Sequence, residues 1–246
     1  MIEFQNVSLM YNQHRVLDEI SFCMDFSEKI AILGGSGEGK TTILKLMLGL
    51  IHPDSGRILI NNQDITVLPE PALRDLRIYF SIVFQEGALF DSLSVGENVA
   101  FYLRERGEFS ESDIEKTVRT FLRKVGIEEA IDLMPEELSG GMQRRVAIAR
   151  SLAAHQPKMM LYDEPTTGLD PITGDTICAL MNELSAGAPQ QRSGLAIVTH
   201  DVPAAASVAE RFLYLRQGAI FFDGTLEALK NTDDPGLRKF IEDILI

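Results

Sequence analysis

At 246 residues and a formal net charge of −13, the chain is long enough to bury a substantial core as one large α/β domain or a domain carrying an inserted lobe. The acidic balance argues against a nucleic-acid partner, because holding a phosphate backbone needs clustered Lys and Arg that this sequence lacks. Cys23 and Cys178 lie far apart with no C-x-x-C or Cys/His spacing, so they read as two buried thiols in a reducing compartment, with no metal cluster.

The opening Met1-Ile2-Glu3-Phe4-Gln5 has no positive flank and no apolar h-region, and no run approaches the roughly eighteen residues that span a bilayer. A cytosolic chain is expected, with any membrane role supplied by a partner. Residues 2–24 read as two or three strands carrying Phe4, Val7, Leu9, Val16, Leu17, Ile20 and Phe22, with a turn at Asn12-Gln13-His14. Periodicity alone makes Tyr11, at the end of the first run, a half-buried packing residue.

The apolar run Ile30-Ala31-Ile32-Leu33 leads into Gly34-Gly35-Ser36-Gly37-Glu38-Gly39-Lys40-Thr41, which matches G-x-x-x-x-G-K-[ST]. Glycines let the backbone bend so that successive N–H groups point at phosphate oxygens, and the following helix adds its positive N-terminal end. Lys40 is expected to reach the β- and γ-phosphates as a mobile charge, and Thr41 to offer its hydroxyl to Mg²⁺. The bland alternative, a glycine turn with a chance lysine, is weakened by the strand before it and the apolar helix Ile43–Leu50 after it. Pro53-Asp54-Ser55-Gly56 then turns the chain into a strand at residues 57–60, and Asn61-Asn62 makes the next turn.

Residues 78–84 are β-branched and aromatic and predict a strand ending on Gln85, a polar tip at the ligand edge of an open α/β sheet. From there to about residue 158 the pattern becomes helical. Ser110-x-x-Asp113 precedes Ile114, Val118, Phe121, Leu122 and Val125, spaced for one helix face. Ser139, Gly140 and Gly141 open a helix that continues through Val146, Ala147, Ile148, Ala149 and Leu152; they form either a second anion site or an ordinary N-cap.

Met159–Tyr162 is an apolar run ending in Asp163-Glu164. One carboxylate at a strand tip facing a P-loop can hold Mg²⁺, and the next can orient and deprotonate an attacking water. Leu195–Val198 followed by Thr199-His200 repeats the arrangement, so Gln85, Asp163-Glu164 and His200 are expected to converge on one edge. A hairpin about Gln217-Gly218 follows at the sheet margin. Leu237, Phe240, Ile241, Ile244 and Leu245 form an amphipathic terminal helix that packs on its own domain or on a partner.

These motifs, in this order and over nearly the whole chain, resemble the nucleotide-binding subunits of ABC transporters. The resemblance implies an α/β P-loop NTPase core, a mixed sheet with helices on both faces and an N-terminal antiparallel part, interrupted by an inserted α-helical subdomain. The core would span about residues 1–86 and 159–246 and the subdomain about 87–158. By the same resemblance Tyr11 stacks on adenine, and Gly34, Gly35, Ser36, Gly37, Glu38, Gly39, Lys40, Thr41 and Thr42 bind the phosphates of ATP. Thr41, Gln85 and Asp163 serve Mg²⁺; Glu164, His200 and Gln85 are catalytic; Gly168-Leu169-Asp170 is the D-loop.

Leu138 to Gln143 match the signature, with Met142 where the family usually has Gln; Ser139, Gly140 and Gly141 would contact the ATP of a second copy in a head-to-tail dimer. Glu38 is a further departure, an acid whose charge repels phosphates unless it points out of the loop. Residues 86–100, the Ser139-Gly140-Gly141-Met142 and Arg144-Arg145 string, residues 168–173, and Asp234-Pro235-x-Leu237-Arg238-x-Phe240 are similar to Mla/Mce-type phospholipid transport ATPases.

That resemblance implies a permease docked around Leu89–Val95, where Leu89, Phe90, Leu93 and Val95 serve either its groove or ordinary packing. It also implies Mce-type lipid-binding and small accessory partners, no nucleic acid, and a place on the cytoplasmic face of a bacterial inner membrane. A polar-solute or efflux ATPase and a nucleotide-switched scaffold stand as alternatives.

Overall fold

The computed structural model describes residues 1–154, 157–186 and 193–242. The N-terminal strands β1 (Ile2–Tyr11) and β2 (His14–Met24) form a hairpin turning at Asn12-Gln13, both in the left-handed region that lets a tight turn follow strand twist. β3 (Lys29–Leu33) leads into α1 (Lys40–Met47), then β4 (Ser55–Ile60) and β5 (Gln63–Asp64), so that β2-β1-β4-β5 make an antiparallel sheet. The expected strand at residues 78–84 is shorter. Helix α2 (Glu70–Arg77) precedes it, Ile78 and Tyr79 lie in a turn, and β6 is Phe80–Val83. The cause is local: Arg77 anchors the helix end by donating to Leu48 and Gly49 carbonyls at 2.8 and 3.1 Å, and Tyr79 N–H closes on Leu76.

Helices α3 (Val95–Arg106), α4 (Glu111–Lys124) and α5 (Gly140–Ala154) follow before β7 (Met159–Asp163). The boundaries of α3 and α4 are written in their caps. Ser94 and Glu97 form a reciprocal capping box, Gly107 stops α3 in the left-handed conformation, and Ser110 accepts from Asp113 N–H. Ile114, Val118 and Leu122 recur every fourth residue and are buried, while Phe121 is only partly so.

Next come α6 (Pro171–Ser185), β8 (Gly194–Thr199), α7 (Val202–Val208), β9 (Arg211–Arg216), β10 (Ala219–Thr225), α8 (Leu226–Lys230) and α9 (Pro235–Phe240). The second sheet has the order β10-β9-β3-β8-β7-β6, with β10 antiparallel at its margin and the rest parallel. Its central strands β3, β7 and β8 are apolar on both faces, as a doubly covered parallel sheet requires. Ile30 and Ile32 face the antiparallel sheet and α1, where Ile43, Leu44 and Met47 meet Phe4, Ile20 and Ile58. Ala31 and Leu33 face the opposite core, shared with α5, α6 and α7.

Cys178 is buried and Cys23 is exposed, correcting the expectation of two buried thiols; Phe22 and Met24 take the inward positions of β2, so Cys23 must point outward. In α9, Leu237 and Ile241 at its end are buried in the chain's own core; Ile244 and Leu245 lie outside the described residues. Among the described residues no helix is long and apolar enough to cross a membrane.

Candidate active site

The parallel register aligns the tips of β3, β7 and β8: Leu33 pairs with Thr199, and Asp163 with Val198. The loops leaving those tips therefore start side by side. Gly39 precedes α1 at φ 96°, and a Cβ there would lie 2.7 Å from Leu17 Cδ2, so both conformation and space demand glycine.

Lys40, only 7% exposed, donates from Nζ to the carbonyls of Gly34 and Gly35 at 2.9 and 3.0 Å and lies 3.4 Å from Glu164 Oε1. Thr41 Oγ1 donates to Asp163 Oδ1 at 2.8 Å. Burial pushes the Asp163 carboxyl upward, and the Thr41 hydrogen bond offsets part of that rise.

Glu164 has φ 48°, an uncommon conformation for a residue with a side chain. Its Oε2 accepts from Thr199 Oγ1 at 2.9 Å and Thr167 Oγ1 at 3.0 Å. His200 Nδ1 lies 3.1 Å from Oε1 and 3.0 Å from Oε2. Burial pushes this carboxyl up, but the hydrogen bonds from His200 and Thr199 outweigh it and hold it below the usual glutamate value. Glu164 is thus an ionised, oriented acceptor at the mouth of a cleft.

That cleft, of about 460 Å³, is lined by Gly35, Ser36, Gly37, Lys40, Thr41, Gln85, Glu164, His200 and Phe240. The expected convergence of strand tips is therefore present, and Asp163 joins it through Thr41. Gly34 and Gly39 frame it, while Thr42 occupies the first turn of α1, half-buried. Glu38 turns away: its carboxylate accepts from Gln217 N–H in the β9–β10 turn, which removes the objection to an acid within the loop.

Ser139, Gly140 and Gly141 are absent from the cleft lining. They open α5, where Ser139 Oγ accepts from Met142 N–H at 3.3 Å, and a Cβ on Gly141 would meet Thr173 Cγ2 at 2.4 Å. Tyr11 is 70% exposed, not half-buried, because it ends β1 opposite His14 at the hairpin tip, where no second layer covers it.

Sequence reasoning missed Thr199, Thr167 and Phe240. The two threonines flank named motifs, which was the available signal; Phe240 carried none beyond its place on an amphipathic helix. The oxygen donors beside the P-loop, one hydroxyl, one carboxylate and the Gln85 amide, fit a hard cation that brings phosphate and water oxygens of its own, as Mg²⁺ does.

A family model described as ABC transporter matches residues 17–167, more than half of the chain. The chain belongs to the ABC transporter family. This ABC ATPase is 37% identical over 244 residues to the intermembrane phospholipid transport system ATP-binding protein MlaF of Escherichia coli (strain K12), covering 99% of this chain and 89% of that protein. It is 38% identical over 246 residues to the glutamine transport ATP-binding protein GlnQ of the same strain, covering 99% of this chain and 100% of that protein.

Its fold matches the dimeric post-hydrolysis state of the ATP-binding cassette MJ0796 bound to ADP and Pi, with a TM-score of 0.83 and 31% identity over 92% of this chain and 99% of that one. The ABC ATPase therefore has the expected α/β cassette fold, and ATP, with Mg²⁺, is what it binds and hydrolyses.

Proposed function

We propose that this ATPase powers phospholipid or related lipid transport, as a head-to-tail pair attached to a permease on the cytoplasmic face of a bacterial inner membrane. The observation that carries the hydrolytic part is the Glu164 carboxylate, held by Thr199, Thr167 and His200 and placed 3.4 Å from Lys40. In this reading Lys40 exchanges the Gly34 and Gly35 carbonyls for phosphate oxygens, and Thr41 and Asp163 turn from each other to hold Mg²⁺. That ion, when bound, neutralises charge building on the phosphates. Glu164 takes a proton from the attacking water, Gln85 and His200 fix the water and the γ-phosphate, and Tyr11 stacks on the base.

Ser139, Gly140 and Gly141 stand outside the chain's own cleft, which supports their use on the ATP of a second copy. Residues 87–158 then act as a lobe that moves with the bound nucleotide. Permease docking is supported by a groove of about 300 Å³ beside Phe90, Phe101 and Tyr102; of the four residues expected there only Phe90 lines it, while Val95 is fully buried and Leu89 packs against the core. Its floor is braced. Arg150 donates to the Gly87 and Ala88 carbonyls at 2.9 and 2.8 Å, and buried Asn98 donates to Phe90, Leu93 and Ser94 carbonyls while accepting from Phe90 N–H. A braced, largely apolar slot of this kind suits a short amphipathic helix.

The lipid cargo is supported by the similarity to MlaF and by the residue strings shared with Mla/Mce-type ATPases. A polar-solute importer is the second reading, favoured by 38% identity to GlnQ. Purifying the tagged chain from its native membrane in mild detergent, with proteins and lipids identified by mass spectrometry, tests the choice. A permease with a lipid-binding subunit and enriched phospholipid is the expected result. A permease with a solute-binding protein overturns the cargo, and a signalling partner without lipid flux in reconstituted vesicles favours a scaffold.

A further inference from the structure

Helix α5 carries a buried charge with no close ionic partner among the described residues. Arg144 is 8% exposed, and among the described residues no carboxylate lies within 4.0 Å of it. Its Nη1 donates to the Phe84 carbonyl at 3.0 Å, its Nη2 to the Thr167 carbonyl at 3.4 Å, and its Nε has no partner. Burial lowers its proton affinity, and the fields of Glu86 and Asp163 restore part of it. Packing alone is better served by a long apolar side chain, since a buried charge without close ionic partners costs more desolvation than it recovers.

What the guanidinium touches gives it a use. Phe84 immediately precedes Gln85. Thr167 donates its hydroxyl to Glu164 Oε2 at 3.0 Å, so the carbonyl that Arg144 holds belongs to a residue gripping the proposed base. The same turn of α5 lies against the loop from the other side: a Cβ on Gly87 would sit 3.5 Å from Ala147 Cβ and 3.6 Å from the Gln143 carbonyl. One fork thus joins the first turns of the signature helix to both loops that carry Gln85 and Glu164.

We propose that Arg144 is a positioning residue that transmits engagement of Ser139–Gly141 to the geometry of Gln85 and Glu164 in the same chain. The proposal rests on the reading above, in which Ser139–Gly141 contacts the ATP of a second copy and Glu164 is the base. Each protomer then senses, through one side chain, whether its signature is occupied before its own site is aligned.

The test uses the full-length chain with Arg144→Met, Arg144→Lys, Ser139→Ala and the double variant of Ser139→Ala with Arg144→Met. Melting temperature, ATP affinity and kcat are measured for each. Arg144→Met is expected to melt at or above the parent and to bind ATP within about twofold, while kcat falls about tenfold or more through misplacement of the reacting groups. Arg144→Lys keeps the charge but loses the fork and recovers only part of kcat.

The double variant is expected to be no slower than the slower single one, because both lesions cut the same connection. Unchanged kcat in Arg144→Met, losses that multiply in the double variant, or a kcat loss accompanied by equal losses of melting temperature and ATP affinity each overturn the proposal. Glu164→Gln run beside them separates the two failures: its normal turnover removes the base assignment, whereas an inert Glu164→Gln with an active Arg144→Met removes only the connection.

Discussion

Two helices of this chain begin with glycines and free N–H groups, and they end up in opposite circumstances. At α1 the polar groups of the P-loop are already engaged: Lys40 bonds two carbonyls and Glu164 lies beside it, while Thr41 bonds Asp163. At α5 the start is exposed at Ser139 and Gly140, and the side-chain cap is a weak one, with Met142 N–H donating to Ser139 Oγ at 3.3 Å. Both are sites where backbone donors and the helix dipole favour an anion. The difference teaches that a preference for phosphate does not make a phosphate site; enclosure does, and on the proposed reading α5 obtains it from a second copy.

Breaking the enclosed site produces the largest effects. Glu164→Gln should lower kcat by about a thousandfold while leaving ATP binding intact, read by phosphate release alongside equilibrium nucleotide titration, since general-base catalysis contributes on that order. Lys40→Met should weaken ATP binding by about tenfold to a hundredfold through loss of charge-assisted hydrogen bonds to phosphate, with ADP affected less. Sharpening the contrast, Ser139→Ala should leave the affinity of a dilute single chain for ATP unchanged and reduce ATP-driven association in a Glu164→Gln background, followed by size-exclusion chromatography. The lost cap costs about 1 kcal/mol of stability. Tyr11→Ala should have the smallest effect, a loss of a few-fold in ATP affinity with a melting temperature near the parent, because the ring is exposed.

Much of this cleft could be read from the sequence, because the parallel sheet writes its strands as apolar runs and its candidate functional residues as the polar residues that end them. Gln85, Asp163, Glu164 and His200 were placed by that rule, and strand register then brought them together. What escaped was whatever depends on neighbours far along the chain. Thr199 is fully buried and looks like an ordinary strand threonine until Glu164 is seen against it. Arg144 looks like a solvated helix charge until the Phe84 and Thr167 carbonyls appear beneath it. Helix α2 is only eight residues long, mostly polar, with Leu73 alone fully buried, so it went unread, and the predicted strand ran back to residues 78 and 79. The destination of the Glu38 carboxylate depended on a turn built by residues far downstream.

The backbone of Glu164 carries a consequence beyond its chemistry. At φ 48° a residue with a Cβ costs about 1 kcal/mol relative to one in the ordinary region, and glycine at the same position bears no such cost. Backbone and side chain therefore pull in different directions here: glycine would relieve the backbone cost but would leave Lys40, Thr199 and Thr167 without the carboxylate they meet. Holding the acid in place is a standing evolutionary burden, and the hydroxyls of Thr199 and Thr167 are part of how the fold carries it.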